Sequence, residues 1–156
     1  MRVRKARNTD VAQMVSLSEE KRSAYESFQP VFWRKAPNSA EIQSTYFKSL
    51  LSRDDHITLV CEHSGAVNGF IIGAVGPAPG VYDPGGMSCM IDDFCVSSAA
   101  AWEIEGKALL DECQKYAKQK GVVQIVVVCG QKDVPKRSFL CELQLSVASE
   151  WYTGPI

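Results

Sequence analysis

The segment from Met87 to Val128 limits the possible folds more than any other part of the chain. It contains an apolar run, MSCMIDDFCV, then a run with helical spacing, EGKALLDECQKYAKQKG, then a β-branched run, VVQIVVV. The first and third runs have the residue types of strands, and a near-continuous β-branched run is typical of a strand covered on both faces. Gly121 stands where a glycine commonly ends a helix. The segment therefore predicts a strand, a helix and a second strand.

The N-terminal third predicts one strand and two helices. Alternation over residues 2–6 predicts the strand, and Thr9 or Asp10 can cap the helix that follows it. A second helix is predicted from Ser39, whose hydroxyl can act as its cap. Helical spacing predicts that one face of this second helix comprises Ile42, Tyr46 and Leu50.

The remaining segments predict a hairpin, a last helix and a last strand. Two apolar runs between Ile57 and Val75 are separated by the polar EHSG, which predicts an antiparallel hairpin. Residues 134–144 predict the helix, and the alternating LSVASEWYTG after it predicts the strand. The predicted order is β-α-α-β-β-β-α-β-α-β, a mixed sheet with helices on both sides.

Composition indicates one globular domain spanning residues 1–156. With 46% apolar and 22% charged residues, the chain can form one substantial core. The formal net charge of −1 gives no reason to expect a nucleic acid partner. No apolar run is long enough for a signal peptide or a membrane span, so we expect a soluble, cytoplasmic protein without a membrane partner.

The cysteines predict buried, reduced thiols and no metal site. The six cysteines fall singly, mostly in apolar runs, and none forms a C-x-x-C pair. Only two histidines are present, and the close ligand spacing of zinc sites is missing.

From Arg2 to about Tyr152 the chain resembles the GNAT superfamily of acyl-CoA N-acyltransferases. The resemblance is carried by the element order, by the run DDFCVSSAAAWEIEGKALL with its Leu-Leu pair, and by the helix that ends at Gly121. In that family a strand runs into a pyrophosphate loop, Gln/Arg-x-x-Gly-x-Gly/Ala, which opens a long helix. The resemblance implies an α/β (α+β) fold with a mixed, mostly antiparallel sheet of about six strands and about four helices.

The resemblance also implies where acetyl-CoA would bind. The strand end would pair with the pantetheine arm like an added strand, and loop amides would hold the diphosphate at the helix start. Ala101 and Ile104 depart from the loop motif, and Glu103 and Glu105 could repel phosphate. A single glycine that opens a helix also occurs for packing alone. The implied cofactor-binding residues are Phe94, Cys95, Val96, Ala101, Trp102, Glu103, Ile104, Glu105, Gly106 and Lys107.

Two adjacent carboxylates are the candidate catalytic residues. Direct acyl transfer needs an unprotonated amine, a polarised thioester carbonyl and a protonated leaving thiolate. Asp92 and Asp93 point to opposite faces of a regular strand, so at most one faces the acyl centre unless a bulge intervenes. We favour Asp92 as the base, because it shares the parity of Val96. Both carboxylates could instead pair with basic side chains.

The general acid is not identified by the sequence. The family often shows Ala-x-x-Phe-Tyr-x-x-x-Gly-Phe in its last helix, and this chain has SFLCELQLS there. Phe139 matches the aromatic residue, but Leu140 stands where the family often has a tyrosine acid. Tyr152, Tyr116 or a water molecule could replace that tyrosine.

The expected function is acetyl transfer from acetyl-CoA to an amine of a small molecule or peptide, by direct attack in a ternary complex. The alternative is a catalytically inactive acyl-CoA-binding or interaction domain with the same fold. A nucleotide-binding module is disfavoured because the chain lacks a P-loop and a dinucleotide fingerprint. Residues 145–156 have room for one strand where the family has two, so we expect an exposed sheet edge and a homodimer that covers it.

Overall fold

The computed structural model describes residues 1–156 as one five-stranded sheet with helices on both faces. The strands are β1 (Arg2–Lys5), β2 (His56–His63), β3 (Ala66–Pro77), β4 (Met87–Val96) and β5 (Val122–Val127). The helices are α1 (Val11–Phe28), α2 (Ser39–Leu50), α3 (Glu105–Gln119) and α4 (Val134–Glu142). The sheet order is β1-β2-β3-β4-β5, with antiparallel neighbours except for the parallel pair β4 and β5. None of the helices is both long enough and apolar enough to span a bilayer.

The predicted hairpin is confirmed. Ser64 and Gly65 form the two-residue turn between β2 and β3, with φ of 51° and 83°. Positive φ at both positions matches the twist of the flanking strands, which is why glycine suits the second position.

Each face of the sheet carries its own apolar core. On one face, Ile91 and Phe94 of β4 pack with Leu109 of α3. On the other face, Phe70 of β3 packs with Phe47 of α2, with ring centroids 5.4 Å apart. Cys95 of β4 also belongs to this second core, so β4 contributes to both cores.

The predicted face of α2 is wrong. Ile42 and Tyr46 are 55% and 51% exposed. The face that packs on the sheet is instead set by Phe47, whose large ring fills the space over Phe70. The buried residues of this helix are Gln43, Phe47 and Leu50.

Asp10 occupies the N-cap position of α1 as predicted, but the side-chain hydrogen bonds expected to cap α1 and α2 are absent. A 3₁₀ turn, Asn8–Asp10, precedes α1, and no side chain caps the helix there. The carboxylate of Asp10 instead accepts a hydrogen bond from the backbone amide of Arg7 (2.7 Å) and two from Arg4 (2.6 and 2.9 Å). The hydroxyl of Ser39 donates to Glu19 and does not cap α2.

The C-terminal segment corrects the predicted strand count. The last helix is present as α4, but residues 143–156 form no strand, so the sheet has five strands rather than about six. Gln144 turns the chain with φ of 62°. β5 pairs only with β4, and Val123 is 59% exposed. The expectation that this β-branched run is covered on both faces is wrong, because Val123 and Gln124 are exposed and only Val122 is fully buried.

Candidate active site between β4 and β5

A bulge in β4 lies at Asp92. Ile72 of β3 pairs with Asp93, but the next residue of β3, Gly73, pairs with Ile91, so Asp92 has no partner. Such an extra residue bends a strand and changes the side-chain alternation. Ile91 and Phe94 consequently pack in the same core although they are three residues apart. The parity argument that joined Asp92 to Val96 does not hold across this bulge.

β4 and β5 separate directly beyond the bulge. Their last paired residues are Ile91 and Val127, and the amide of Val128 donates to the carbonyl of Ile91 over 2.9 Å. Beyond that bond β4 continues to Val96 without a partner from β5, which ends at Val127. We call the opening between residues 92–96 and 128–130 the splay.

The side chain of Lys136 occupies the splay. Lys136 lies in the first turn of α4 and is 1% exposed. Its Nζ donates to the carbonyl of Phe94 over 3.1 Å and to the carbonyl of Val128 over 2.9 Å, so it joins the two separated strands. Burial and, to a lesser extent, the nearby charge of Lys21 together lower the pKa of Lys136 to about 8.

Sequence reasoning missed Lys136. The C-terminal motif of the resembling family has alanine three residues before the position of Phe139, and this chain has lysine there. A long cationic side chain in place of a small apolar one was a signal that this part of the fold is filled differently.

The loop before α3 buries its aromatic residue. A 3₁₀ turn, Ala99–Trp102, leads to α3. The indole of Trp102 stacks on Phe139, with centroids 5.1 Å apart, and meets Phe94 edge-on at 4.9 Å. A Cβ on Gly106 would lie 2.7 Å from the indole. Gly106 therefore allows Trp102 to pack closely against the helix, which is the packing role that sequence reasoning had kept open.

The rest of the loop faces solvent. Glu103, Ile104 and Lys107 are exposed, and the backbone amides of Ile104 and Lys107 donate no hydrogen bond within the chain. The ammonium of Lys107 is paired with Asp111 at 2.7 Å. The helix start thus offers free amides to an anion, but its lysine is partly neutralised and Glu103 adds negative charge.

The two adjacent carboxylates have different surroundings. Asp93 lies 3.3 Å from the Nζ of Lys21, and both side chains are less than a fifth exposed. Burial acts to lower the pKa of Lys21, but Cys95 and Asp93 outweigh it and the pKa is raised. Asp92 is exposed, and its carboxylate makes no hydrogen bond or ion pair within the chain. The bulge thus leaves one carboxylate in an ion pair and the other open to solvent beside the splay.

Tyr25 of α1 links the far side of the splay to α4. Its buried hydroxyl donates to Asp133 over 2.7 Å and accepts from the amide of Gly130 over 3.1 Å. Burial raises the pKa of Tyr25 far above its usual value, so this hydroxyl keeps its proton. The ring also contacts Trp33 and Phe28, which fixes the segment between α1 and α2 against this region.

None of the cysteines near the splay is an activated nucleophile. Burial raises the pKa of Cys95, and it raises the pKa of Cys129 to about 11. Four of the six cysteines are buried, while Cys129 is half-buried and Cys141 is exposed. All six are free thiols, and no group of three or more metal-ligating side chains is present in the chain.

The tyrosines named as possible acids do not lie at the splay. Tyr116 packs near Lys5 of β1, at the opposite edge of the sheet. Tyr152 is 89% exposed in the C-terminal segment and donates to Glu150. Leu140, at the position of the family's tyrosine, is buried in the core.

Comparison with known proteins supports the fold. No family model and no curated protein matches the sequence. Among solved structures, a tetramutant of a Bacillus halodurans protein is 15% identical with a TM-score of 0.84, over 100% of both chains. A predicted acetyltransferase with acetyl-CoA from Clostridium acetobutylicum is 16% identical with a TM-score of 0.73, over 99% of this chain and 95% of that one.

An aminoglycoside antibiotic 6'-N-acetyltransferase from Acinetobacter haemolyticus is 10% identical with a TM-score of 0.73, over 100% of this chain and 99% of that chain. At these identities the likeness establishes the fold. The predicted GNAT fold is therefore confirmed.

Proposed function

We propose that this chain binds acetyl-CoA in the splay and transfers the acetyl group to an amine of a small molecule or peptide. The observation that carries the proposal is the bulge at Asp92, which coincides with the point where β4 and β5 separate. Bulges often lie beside active sites because they redirect side chains and end strand pairing. Proteins described as acetyltransferases share this fold, which is consistent with the proposal.

The residues of the splay fit acetyl-CoA after one movement. Beyond Ile91 the edge of β4 has no partner from β5, so its peptide groups can pair with the amides of a pantetheine arm. The carbonyl of Phe94 accepts a hydrogen bond from the flexible side chain of Lys136. Burial disfavours the ammonium of Lys136 and lowers its pKa, which would offset part of the cost of breaking its two hydrogen bonds. The free amides of Ile104 and Lys107 would receive the diphosphate.

Asp92 is the proposed base. Its exposed carboxylate lies beside the splay and can take a proton from the acceptor ammonium, which makes the amine nucleophilic. Asp93 is proposed to act through its ion pair with Lys21, which fixes the strand beyond the bulge. The amine then attacks the thioester directly.

A second candidate function is favoured by a specific observation. Lys136 fills the splay that the pantetheine arm of acetyl-CoA would enter, and this side chain is almost fully buried. A chain that keeps this filling permanently would be a catalytically inactive interaction domain with the same fold.

Two measurements separate these candidates. Isothermal titration calorimetry with acetyl-CoA should show saturable binding, and thiol release should be detected with at least one of spermidine, kanamycin and a peptide with N-terminal alanine. Binding without release with any of the three would favour the inactive domain. No binding would reject the proposal.

The role of Asp92 is tested by Asp92→Asn. We expect kcat to fall by about 10²-fold or more, because a general base typically contributes this much. Asp54→Asn is the matched control, since Asp54 is exposed and its carboxylate makes no hydrogen bond. Equal rates for Asp92→Asn and the control would assign the base to another group.

We also propose that the free edge of β5 forms a homodimer contact. This edge has no strand partner, and a cleft of about 200 Å³ runs along it beside α3. Exposed strand edges tend to be covered in natural proteins. Sedimentation at micromolar concentration should give a dimer, and Val123→Lys should give a monomer because a charge on an edge strand opposes pairing. A wild-type monomer would contradict this.

A further inference from the structure

Acetyl transfer requires a proton for the leaving thiolate, and the usual donor is missing from this chain. Leu140 occupies the position of the tyrosine acid and is apolar and buried. Tyr25 lies close to the splay, but its hydroxyl is committed to Asp133. The thiols of Cys95 and Cys129 hold their protons because burial raises the pKa of each. A water molecule or another side chain at the splay therefore has to supply the proton.

We propose that Lys136 is the general acid that protonates the leaving thiolate, an inference that rests on the acetyl transfer proposed above. The geometry supports this role. The ammonium lies where β4 and β5 separate, bonded to the carbonyls of Phe94 and Val128. An ammonium has three donors, so one N–H remains without a hydrogen-bond acceptor. If a pantetheine amide donated to the carbonyl of Phe94 in place of Lys136, a second N–H of the ammonium would be freed.

The charges around Lys136 are consistent with proton donation near neutral pH. A pKa of about 8 keeps the group protonated at pH 7 but lets it give up its proton more easily than an ordinary lysine. The positive charge of Lys21 favours loss of the proton from Lys136, although Asp93 offsets part of the charge of Lys21. The titratable groups that face the ammonium are Lys21 from α1, Cys95 from β4, Cys129 after β5 and Asp133 before α4.

The step balances without another reactant. The amine nitrogen forms a bond to the thioester carbon, the C–S bond breaks, and its electron pair stays on sulfur. One proton passes from Nζ of Lys136 to that sulfur, which gives the free thiol. The acceptor ammonium loses two protons in becoming an amide. One of these restores the charge of Lys136, and the other reaches solvent through Asp92.

Two substitutions test the assignment. Lys136→Met keeps the stem and removes the donor, and Lys136→Arg keeps the charge on a group that does not release its proton. Both should lower kcat about 10²-fold or more. Both should keep KM for acetyl-CoA within about threefold of wild type and remove the fall in kcat above pH ~8. Lys132→Met, at an exposed neighbouring lysine, should match the wild type in all three quantities.

A readout independent of turnover is the NMR signal of the lysine side-chain nitrogens. The Nζ resonance lost in Lys136→Arg should titrate near pH 8 in the wild type and shift when acetyl-CoA is added. An unchanged Nζ resonance at saturating acetyl-CoA would overturn the assignment.

The other results are also decisive. If Lys136→Met binds acetyl-CoA more tightly and keeps the wild-type kcat, Lys136 only fills the splay and the general-acid role is wrong. Binding without thiol release from any acceptor overturns it as well. Failure of the wild type to bind acetyl-CoA rejects the proposed function itself.

Discussion

The buried ammonium of Lys136 makes the stability of the fold depend on pH. Its pKa falls from 10.5 to about 8 on folding, so the unfolded chain holds this proton more tightly than the folded chain does. Stability therefore rises with pH between about 8 and 10.5, since the unfolded state binds more protons there. The full displacement of the pKa corresponds to about 3 kcal/mol.

Urea denaturation at pH 8 and pH 9.5 measures this effect. The wild type should gain up to about 2 kcal/mol over this interval from Lys136 alone. Lys136→Met lacks the titrating group, so the free energy of unfolding of this variant should rise by about 2 kcal/mol less than that of the wild type between the two pH values. Lys132→Met should behave as the wild type. The comparison cancels the contributions of the other titrating groups. Parallel pH profiles for wild type and Lys136→Met would refute the burial of a charged lysine in the splay.

Two further predictions concern the fold. Gly106→Ala should destabilise the fold by about 1–3 kcal/mol, because the added methyl group meets the indole of Trp102. In a Trp102→Ala background the same substitution should be neutral or stabilising. Additive effects of the two substitutions in the double mutant would contradict the contact. Arg4→Met should destabilise by about 3 kcal/mol by leaving Asp10 buried without its partner, against under about 1 kcal/mol for the exposed control Arg53→Met. The difference in stability between wild type and Arg4→Met should shrink in acid. Arg4 lowers the pKa of Asp10, and the stability gained from this pair is lost as pH falls through the lowered pKa. A difference that stays constant down to pH 3 would argue against the pair.

Most of the architecture was predictable because it depends on local patterns. The helix that ends before Gly121 and the hairpin at Gly65 follow from residue types whose conformational preferences are strong. The rotation of α2 was not predictable, because Phe47 rather than Tyr46 finds its partner in Phe70, and that contact joins distant parts of the chain.

The predicted C-terminal strand is absent for a related reason. Alternation in residues 145–154 signals a strand only if a sheet edge lies within reach and in register, and Gln144 turns the chain instead. β5 is β-branched because one face packs on α3, but its position at the sheet edge depends on the path of the chain after α4.

The candidate site was predictable in outline only. Asp92 and Asp93 were identified because two acids interrupt an apolar run, but the bulge that separates their roles depends on pairing with Ile72 and Gly73. The roles of Asp92 and of the residues implied to bind acetyl-CoA stay proposals. Lys136 was missed because its charge looks ordinary in a helix, and only the separation of two strands makes its burial possible.

The most direct test of the account is an NMR titration of the backbone amides with acetyl-CoA. Shifts should concentrate at residues 92–96 of β4 and 103–107 at the start of α3, with saturation at a single affinity. Amides in those two segments that stay unmoved at saturating acetyl-CoA, or shifts confined to the cleft beside β5, would contradict binding in the splay.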